Sequence, residues 1–562
     1  MKFPSLLLLL VCGCCVRISA QDIAGIGAEK TWESSGFFNA STTLLQSNRP
    51  KDLRDPFTWY LSGGITPSFK GFKIPLSFTL SQGNSGFNVP SFQRFGASPY
   101  YKWVKIHAGW RNMNFSKYTL HGYSFLGGGL ELTPGIFRIS AMAGRLENQW
   151  LQPSESLLGD RETLDLYRRR AWAVKVGIAG EVNRFSVTVF QAQDVPETGA
   201  LDSLGKYLIP PAANLAFGPE FELRLLKRIY LAGEGALSAV TFNQNSPDFE
   251  DVGEEFTRRI ELVDPLLDLN RSSRYFFGGE GSLRYRHRGF ELGLRYQRVD
   301  PYFTTFGVYY LPRDYEHYTS FVNAAIFKNT LNLRLTLGFQ RNNVREQLSN
   351  TTLRRVSSAN VQWNPDKIFR LAASYSNLNT DQEAGLLEVN DTLRVAALNQ
   401  SLSVRPSLTF KRGDRTQRLS LRYRESSFED LNPVSGSAGN ETQSASFDYS
   451  LRNKETKLRF SVALTYRNTN FRNNDNRRIG GKVGLGRQWL DDKLTTRLRS
   501  TWQNSQFNGA PDGYILNNQL IISYQLPRQQ RIRFSNRILF RRTLVQTAYN
   551  EWRGTLGYNI SF

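Results

Sequence analysis

The stretch Thr330 to Gln340 reads TLNLRLTLGFQ, and its side chains alternate in character. Leu331, Leu333, Leu335, Leu337 and Phe339 share one side of an extended chain, while Asn332, Arg334, Thr336 and Gln340 share the other. A helix would scatter those apolar residues around its circumference, so the period of two specifies a strand with one oily and one polar face. The pattern recurs on either side. Gly289 to Arg298 sets Phe290, Leu292, Leu294 and Tyr296 against Glu291, Arg295 and Gln297. Arg418 to Arg424 sets Leu419, Leu421 and Tyr423 against Arg418, Ser420, Arg422 and Arg424. Lys457 to Arg467 sets Leu458, Phe460, Val462, Leu464 and Tyr466 against Arg459, Ser461, Thr465 and Arg467. Beyond residue 35 such runs follow one another almost to the end of the chain, each closed by a turn.

Composition agrees with this reading. The 562 residues include 45 Gly, 38 Phe, 24 Tyr and 10 Trp beside 3 Met, which suits strands and turns over long helices. A mean hydropathy of −0.42 excludes a bundle of membrane helices. Lys and Arg number 71 against 49 Asp and Glu, a formal charge of +22.

Alternation also fits a soluble sandwich or propeller, and three further features decide against these. The connections alternate between short and long. Tight turns fall at Lys70-Gly71, Lys102-Trp103, Thr133-Pro134-Gly135, Asn183-Arg184, Lys227-Arg228, Arg288-Gly289, Asn329-Thr330, Pro365-Asp366, Gly413-Asp414, Lys454-Glu455, Asp491-Asp492 and Pro527-Arg528, with longer polar loops between them. Short periplasmic turns and longer outside loops are the habit of outer-membrane barrels. Aromatic residues gather near turns, as at Tyr100, Tyr101, Trp103, Trp363 and Trp489, where an interfacial girdle is expected. The last strand, Glu551 to Phe562, alternates and ends on an aromatic. The fold expected is all-β: a large, closed, antiparallel transmembrane β-barrel in the cell outer membrane, of roughly 26 strands and 24 at the fewest. That number rests on the break at Lys102-Trp103, without which the loop lengths fall out of phase.

The run Tyr558-Asn559-Ile560-Ser561-Phe562 resembles the C-terminal strand signature of bacterial outer-membrane proteins. The resemblance implies that Tyr558, Ile560 and Phe562 form an assembly signal read by the barrel-assembly machinery. The runs Phe95 to Trp103 and Leu126 to Leu132 are similar to barrels of Bacteroidota, a likeness that implies an architecture and no particular activity.

At the other end, Lys2 precedes the apolar run Leu6 to Val11, and Ser19-Ala20 places small residues before Gln21. This is the layout of a secretory signal peptide. A retained anchor is the alternative, but the apolar run is too short to span and Arg17 interrupts it. A second alternative is lipid attachment at Cys14 behind the partial lipobox Val11-Cys12-Gly13. All 3 cysteines, Cys12, Cys14 and Cys15, lie in this leader, so an exported chain without disulfides is expected. The domains expected are a signal peptide (1–20), a short periplasmic segment (21–35) and the barrel (36–562).

About 15 residues ahead of the first strand leave no room for a plug domain or periplasmic repeats, whereas barrels of this size otherwise enclose a wide channel. The lumen is therefore expected to be closed by its own loops, flattened, or filled by another protein. The candidate loops are Asn148 to Arg170, Asp194 to Leu215, Asn243 to Arg274, Asp300 to Tyr318, Asn377 to Val395 and Glu425 to Glu441. The third is acidic (Asp248, Glu250, Asp251, Glu254, Glu255, Glu261, Asp264, Asp268) and reads as a solvated loop, a divalent-ion site or a lid. The fourth is aromatic (Tyr302, Phe303, Phe306, Tyr309, Tyr310, Tyr315, Tyr318) and suits either a contact surface or packing into the barrel mouth.

If the oily face meets lipid, the other meets the lumen, and it is basic. The inward set includes Arg284, Arg286, Arg295, Arg334, Arg418, Arg422, Arg424, Arg459, Arg467, Arg497, Arg499, Arg531, Arg533 and Arg537. Cationic walls concentrate anions and hinder cations. The function this favours is transport, a passage for an anionic solute or polymer. The competing reading is that these arginines pair with acids of neighbouring strands or touch lipopolysaccharide phosphates at the rim. A different class is a structural barrel of an export or assembly complex that holds a partner.

An enzyme is not expected, and a hydrolase is the minor alternative. The 4 histidines are scattered: His107 faces inward, His287 sits at a turn, and a Ser or Asp could meet His121 or His317, near the outside loops, in space. There is no Gly-x-Ser-x-Gly elbow, His-Glu-x-x-His helix or metal-ligand cluster. No cofactor and no metal are expected. The partners expected are outer-membrane lipid and lipopolysaccharide, the barrel-assembly machinery and a plug or lipoprotein, with nucleic acid excluded for want of a reader.

Overall fold

The computed structural model describes residues 32–562 apart from 51–53, 82–93, 147–149, 152–163, 166, 197–208, 250–265, 387–393, 433, 435–438 and 473. It is a closed antiparallel barrel of 26 strands. Each strand pairs with its neighbours in sequence, from Trp32–Ser47 with Phe57–Phe69 through to Gln530–Thr543 with Tyr549–Ser561. The last strand then pairs with the first, from Phe37 opposite Ser561 to Ser47 opposite Glu551. Closure leaves no edge with unpaired backbone groups, a condition for a sheet that stands in hydrocarbon. The first strand begins at Trp32, four residues before Gly36, because Trp32 to Ser35 still pair with Phe69 to Thr66 of the second strand.

The turns fall where the alternation placed them. Tyr100–Tyr101 and Val104–Asn112 form a hairpin across Lys102-Trp103, with Lys102 in the left-handed region at φ 50°. Arg288 (φ 41°) and Gly289 (φ 83°) make a two-residue turn of the kind whose twist matches the strands it joins. Two strands are broken at prolines, which cannot donate to a ladder: Phe72–Lys73 resumes as Leu76–Ser81 beyond Pro75, and Arg94–Ala97 resumes as Tyr100–Tyr101 beyond Pro99.

The apolar face points outward. Leu294, Leu337 and Leu464 are 55%, 62% and 66% exposed. Phe137, Phe185, Trp363 and Trp489 stand exposed beside the short turns. One register row on the other side runs Tyr296, Tyr318, Phe339, so aromatics border the apolar belt at both margins. Among the described residues no helix is long and apolar enough to cross a membrane; the crossing is made by strands. A closed barrel with an oily outer belt between aromatic girdles is an outer-membrane protein.

Two loops fold inward and bury Met113, Phe115, Tyr118, Leu120, Tyr123, Phe303 and Phe306 against small and apolar residues of the strands. One joins Val104–Asn112 to Ser124–Leu132, and the other joins Phe290–Val299 to Tyr315–Ile326. They meet in a short parallel ladder, Leu120 opposite Gly307 and His121 opposite Val308, with Tyr123 stacked on Tyr309 at 3.8 Å. The expected closure by the chain's own loops is thus made in part by the aromatic loop and in part by residues 113–123, which sequence reading did not single out.

Candidate functional site

The inner wall has two halves of different chemistry. From Ser124–Leu132 to Phe290–Val299 many of its inward positions are small, among them Gly129, Ala171, Ala173, Ala192, Ala216, Gly218, Ala236 and Gly278. These vacancies are where the loops sit. A Cβ on Gly218 would stand 2.8 Å from Thr119 Cγ2, one on Gly129 would stand 2.5 Å from Met113 Sδ, and one on Gly278 would stand 3.1 Å from the Phe303 ring. Tyr118, Leu120, Phe125 and Phe303 are 2% exposed or less. In the aromatic loop Phe303 and Phe306 are buried with Tyr315, whereas Tyr302 and Tyr310 remain exposed. Packing into the barrel mouth is thus made by Phe303, Phe306 and Tyr315.

Polar side chains of the wall hold the loop backbones. Asn214 Oδ1 accepts from the Phe306 amide at 3.0 Å, Ser238 Oγ donates to the Thr304 carbonyl at 2.6 Å, and Lys175 Nζ donates to the Phe115 carbonyl at 2.7 Å. The Lys117 amide donates to Glu234. Glu280 is the centre of the tether, accepting from Lys117 Nζ at 2.6 Å, Arg295 Nη2 at 2.6 Å and the Tyr118 hydroxyl at 3.2 Å. Gln297 donates to the same hydroxyl at 2.9 Å. Burial, with the Glu280 charge behind it, pushes the Tyr118 hydroxyl well above its usual value.

The arginines divide along the same line. Arg284 pairs with Glu222 at 3.4 Å, Arg286 with Glu291 at 2.7 Å and Arg295 with Glu280 at 2.6 Å. Arg334 Nε donates to Asn323 at 3.1 Å. Arg284, Arg286 and Arg295 thus follow the pairing alternative, whereas Arg334 and Arg537 meet amides, Arg537 Nε donating to Asn517 Oδ1 at 3.1 Å. The remaining nine of the fourteen, Arg418, Arg422, Arg424, Arg459, Arg467, Arg497, Arg499, Arg531 and Arg533, face inward by register, and none makes an ion pair among the described residues.

Their cross-strand neighbours are Ser, Thr, Gly, Gln, Asn, Ile or another arginine, and none is acidic. Arg422 stands opposite Ser446, Arg424 opposite Ser444, and Arg459 and Arg497 flank Gly486. Arg452 stands opposite Arg459, and Arg467 opposite Arg478. Like charges directly opposite oppose pairing. The Nε atoms of Arg405, Arg418, Arg478 and Arg541 are buried without a hydrogen-bond partner. Such a wall is short of anions.

Two clefts run along it, one of 650 Å³ by Arg405, Arg418, Asp448 and Lys482, the other of 420 Å³ by Arg452, Arg459 and Arg497; Arg499 and Gln519 border both. Inward Gly484 and Gly486 leave the room that the long side chains need.

The histidines behave differently from expectation. His107 is buried and bonded at both ring nitrogens, Nδ1 to Ser98 Oγ at 2.9 Å and Nε2 to Glu131 Oε1 at 2.6 Å, with Lys105 Nζ on the same carboxylate at 3.0 Å. The meeting of a histidine with a Ser and an acid occurs at His107, where the sequence suggests His121 or His317. The register places Lys105 opposite Glu131, and the break at Pro99 brings Ser98 into reach; neither is visible in motif spacing. The Ser98 amide already donates to the Pro75 carbonyl, which withdraws it as an oxyanion donor. We read the trio as a satisfied polar network in the wall. Among the described residues no group of His, Cys, Asp or Glu is placed to hold a metal ion. Most of the acidic loop, 250–265, lies outside the described residues.

Tyr558, Ile560 and Phe562 share the outward face at the seam. The amide of Phe562 donates to the Gly36 carbonyl at 2.9 Å and the Gly36 amide donates back at 2.6 Å. A Cβ on Gly36 would stand 2.8 Å from the Phe562 ring.

No protein-family model matches the chain, and neither does any curated protein. Among solved structures it is similar to the translocation pore of the P pilus usher PapC, at 9% identity over 94% of this chain and 99% of that one, with a TM-score of 0.40. It is similar to OccAB2 of Acinetobacter baumannii, at 10% identity over 68% of this chain and 98% of that one, TM-score 0.32. It is also similar to the FrpB iron transporter of Neisseria meningitidis, at 11% identity over 95% of this chain and 82% of that one, TM-score 0.35. These are likenesses among large barrels of unlike sequence.

Proposed function

We propose that the barrel is a transport passage in which an anionic solute or polymer moves along the arginine-faced half of the lumen, while the two inserted loops fill the other half. The observation that carries this reading is the set of nine inward arginines, Arg418 to Arg533, without an acidic partner among the described residues. Cations held in a low-dielectric, partly enclosed wall attract anions far more strongly than cations in bulk water do. The clefts are lined by Ser, Gln and Asn between the arginines, a surface on which a hydrated anion exchanges partners without a deep trap. The test is block by size-matched polymers in a planar bilayer. Dextran sulfate is expected to reduce chloride current where neutral dextran of the same size does not; equal block by both would remove the charge argument.

We also propose that residues 1–20 are a cleaved leader and that Tyr558, Ile560 and Phe562 are read during assembly. The layout Lys2, Leu6 to Val11, Ala20 supports the first, and the outward, seam-side placement of the three residues supports the second. The Phe95 to Trp103 and Leu126 to Leu132 runs support a place among barrels of Bacteroidota.

A further inference from the structure

The outer wall of a barrel is ordinarily convex, yet here it carries a depression of 940 Å³ among lipid-facing residues. Its register explains it. One cross-strand row on the outward face runs Gly281, Tyr296, Tyr318, Phe339, Arg355, Asn379, and the row below runs Leu283, Leu294, Ser320, Leu337, Ser357, Asn377. The floor is at Gly281, where an added Cβ would find nothing nearer than 4.0 Å. Next to it Gly233 lies beneath the Phe221 ring. Leu283, Leu294 and Leu337 make the sides and are among the most exposed apolar side chains of the belt.

The rows change chemistry along their length, from apolar to Arg355, Ser357, Asn377 and Asn379. Arg355 lies five residues into Asn350–Trp363 and Asn379 five before the end of Phe369–Ala384, both toward the long-loop side. An arginine on the lipid face opposes barrel stability unless its guanidinium reaches the interface and meets an anion. Arg355 has no ion pair and no hydrogen bond among the described residues, and it is exposed. An oily trough of ligand size that ends on an uncompensated guanidinium and two amides fits a molecule with several acyl chains and a phosphate.

We propose that this trough is a binding site for one molecule of a phosphorylated outer-leaflet glycolipid of the lipid A type, its acyl chains along Leu283, Leu294 and Leu337 and its phosphate on Arg355. The site is separate from the lumen and does not depend on the passage proposed above. The long-loop side is the outer leaflet, where such lipids reside.

The test is native mass spectrometry of the delipidated barrel after addition of lipid A or of phosphatidylglycerol. Wild type is expected to retain one lipid A through detergent release and at least tenfold less phosphatidylglycerol. R355Q, which removes the guanidinium and leaves the trough open, is expected to lose retained lipid A at least tenfold. The lumen variant R334Q is expected to retain it as wild type does, and a compact heat-modifiable band on a gel verifies folding of each. Retention of lipid A by R355Q equal to wild type, equal retention of both lipids, or no retention by wild type each overturns the site.

Discussion

Replacing Glu280 by Gln tests whether the loop of residues 113–123 is held in the lumen by a definable tether. The change keeps shape and removes the charge that Lys117 Nζ, Arg295 Nη2 and the Tyr118 hydroxyl share. Of these, only Lys117 and Tyr118 belong to the loop. A hydrogen bond to a charged group contributes about 1.5–3 kcal/mol. Lys117 is 35% exposed, so screening lowers that figure to about 1–2 kcal/mol. The buried side chains of Phe115, Tyr118 and Leu120 remain, so the loop stays docked most of the time and its undocked fraction rises roughly 5- to 30-fold. The readout is maleimide labelling of a cysteine at position 119, whose native threonine is fully buried. The sequence has no cysteine beyond Cys15, so in a protein prepared without residues 1–20 the label is unique. T119C is expected to react slowly, and T119C with E280Q about 5- to 30-fold faster. R286Q, at a short turn away from the loop, is expected to change nothing. Rapid labelling in the parent, or no acceleration by E280Q, would refute the tether.

Further outcomes follow from the same geometry. Gly218→Val drives side-chain atoms into Thr119 and is expected to label at position 119 faster than E280Q does, with barrel melting little changed. Because the docked Tyr118 hydroxyl has its pKa raised above 10.0, the docked loop keeps that proton while a released loop gives it up. Docking is therefore at full strength below pH 10 and weakens above it, and Tyr118→Phe should abolish that dependence, as monitored by tryptophan emission of the barrel. Phe562→Ala removes the ring packed on Gly36 and the terminal aromatic; the fraction of folded barrel in outer-membrane extracts is expected to fall several-fold at unchanged synthesis, and an unchanged yield would withdraw the assembly-signal reading.

Period-two alternation made the architecture legible to the strand. Leu331 to Phe339 fixed a face, the twelve tight turns fixed the phase, and even the break at Lys102-Trp103 emerged as a hairpin. The lumen was less legible, because closure depends on what sits on the inner face of one strand relative to the next. Gly129, Ala173, Ala216, Gly218 and Gly278 each look ordinary alone; only the register stacks them into a hollow that residues 113–123 and Phe303 fill. Small residues at alternate inward positions over many neighbouring strands were the available signal, and they point to an inserted segment. The arginine wall was legible as composition, but not its pairing. Arg284 meets Glu222 while Arg422 meets Ser446, a distinction set by partners more than twenty residues away. The Ser98, His107 and Glu131 network was hidden for the same reason.

The proposed anion passage depends on the nine inward arginines from Arg418 to Arg533 that make no ion pair among the described residues. It is tested most directly by the reversal potential of single purified barrels in a planar bilayer under a tenfold potassium chloride gradient. The account predicts an anion-selective conductance in wild type, reduced toward neutrality when Arg422, Arg459 and Arg497 are together replaced by Gln, and unchanged when the paired Arg286 is replaced. A cation-selective channel, or a silent barrel under all conditions, would contradict it and favour a structural barrel that holds a partner.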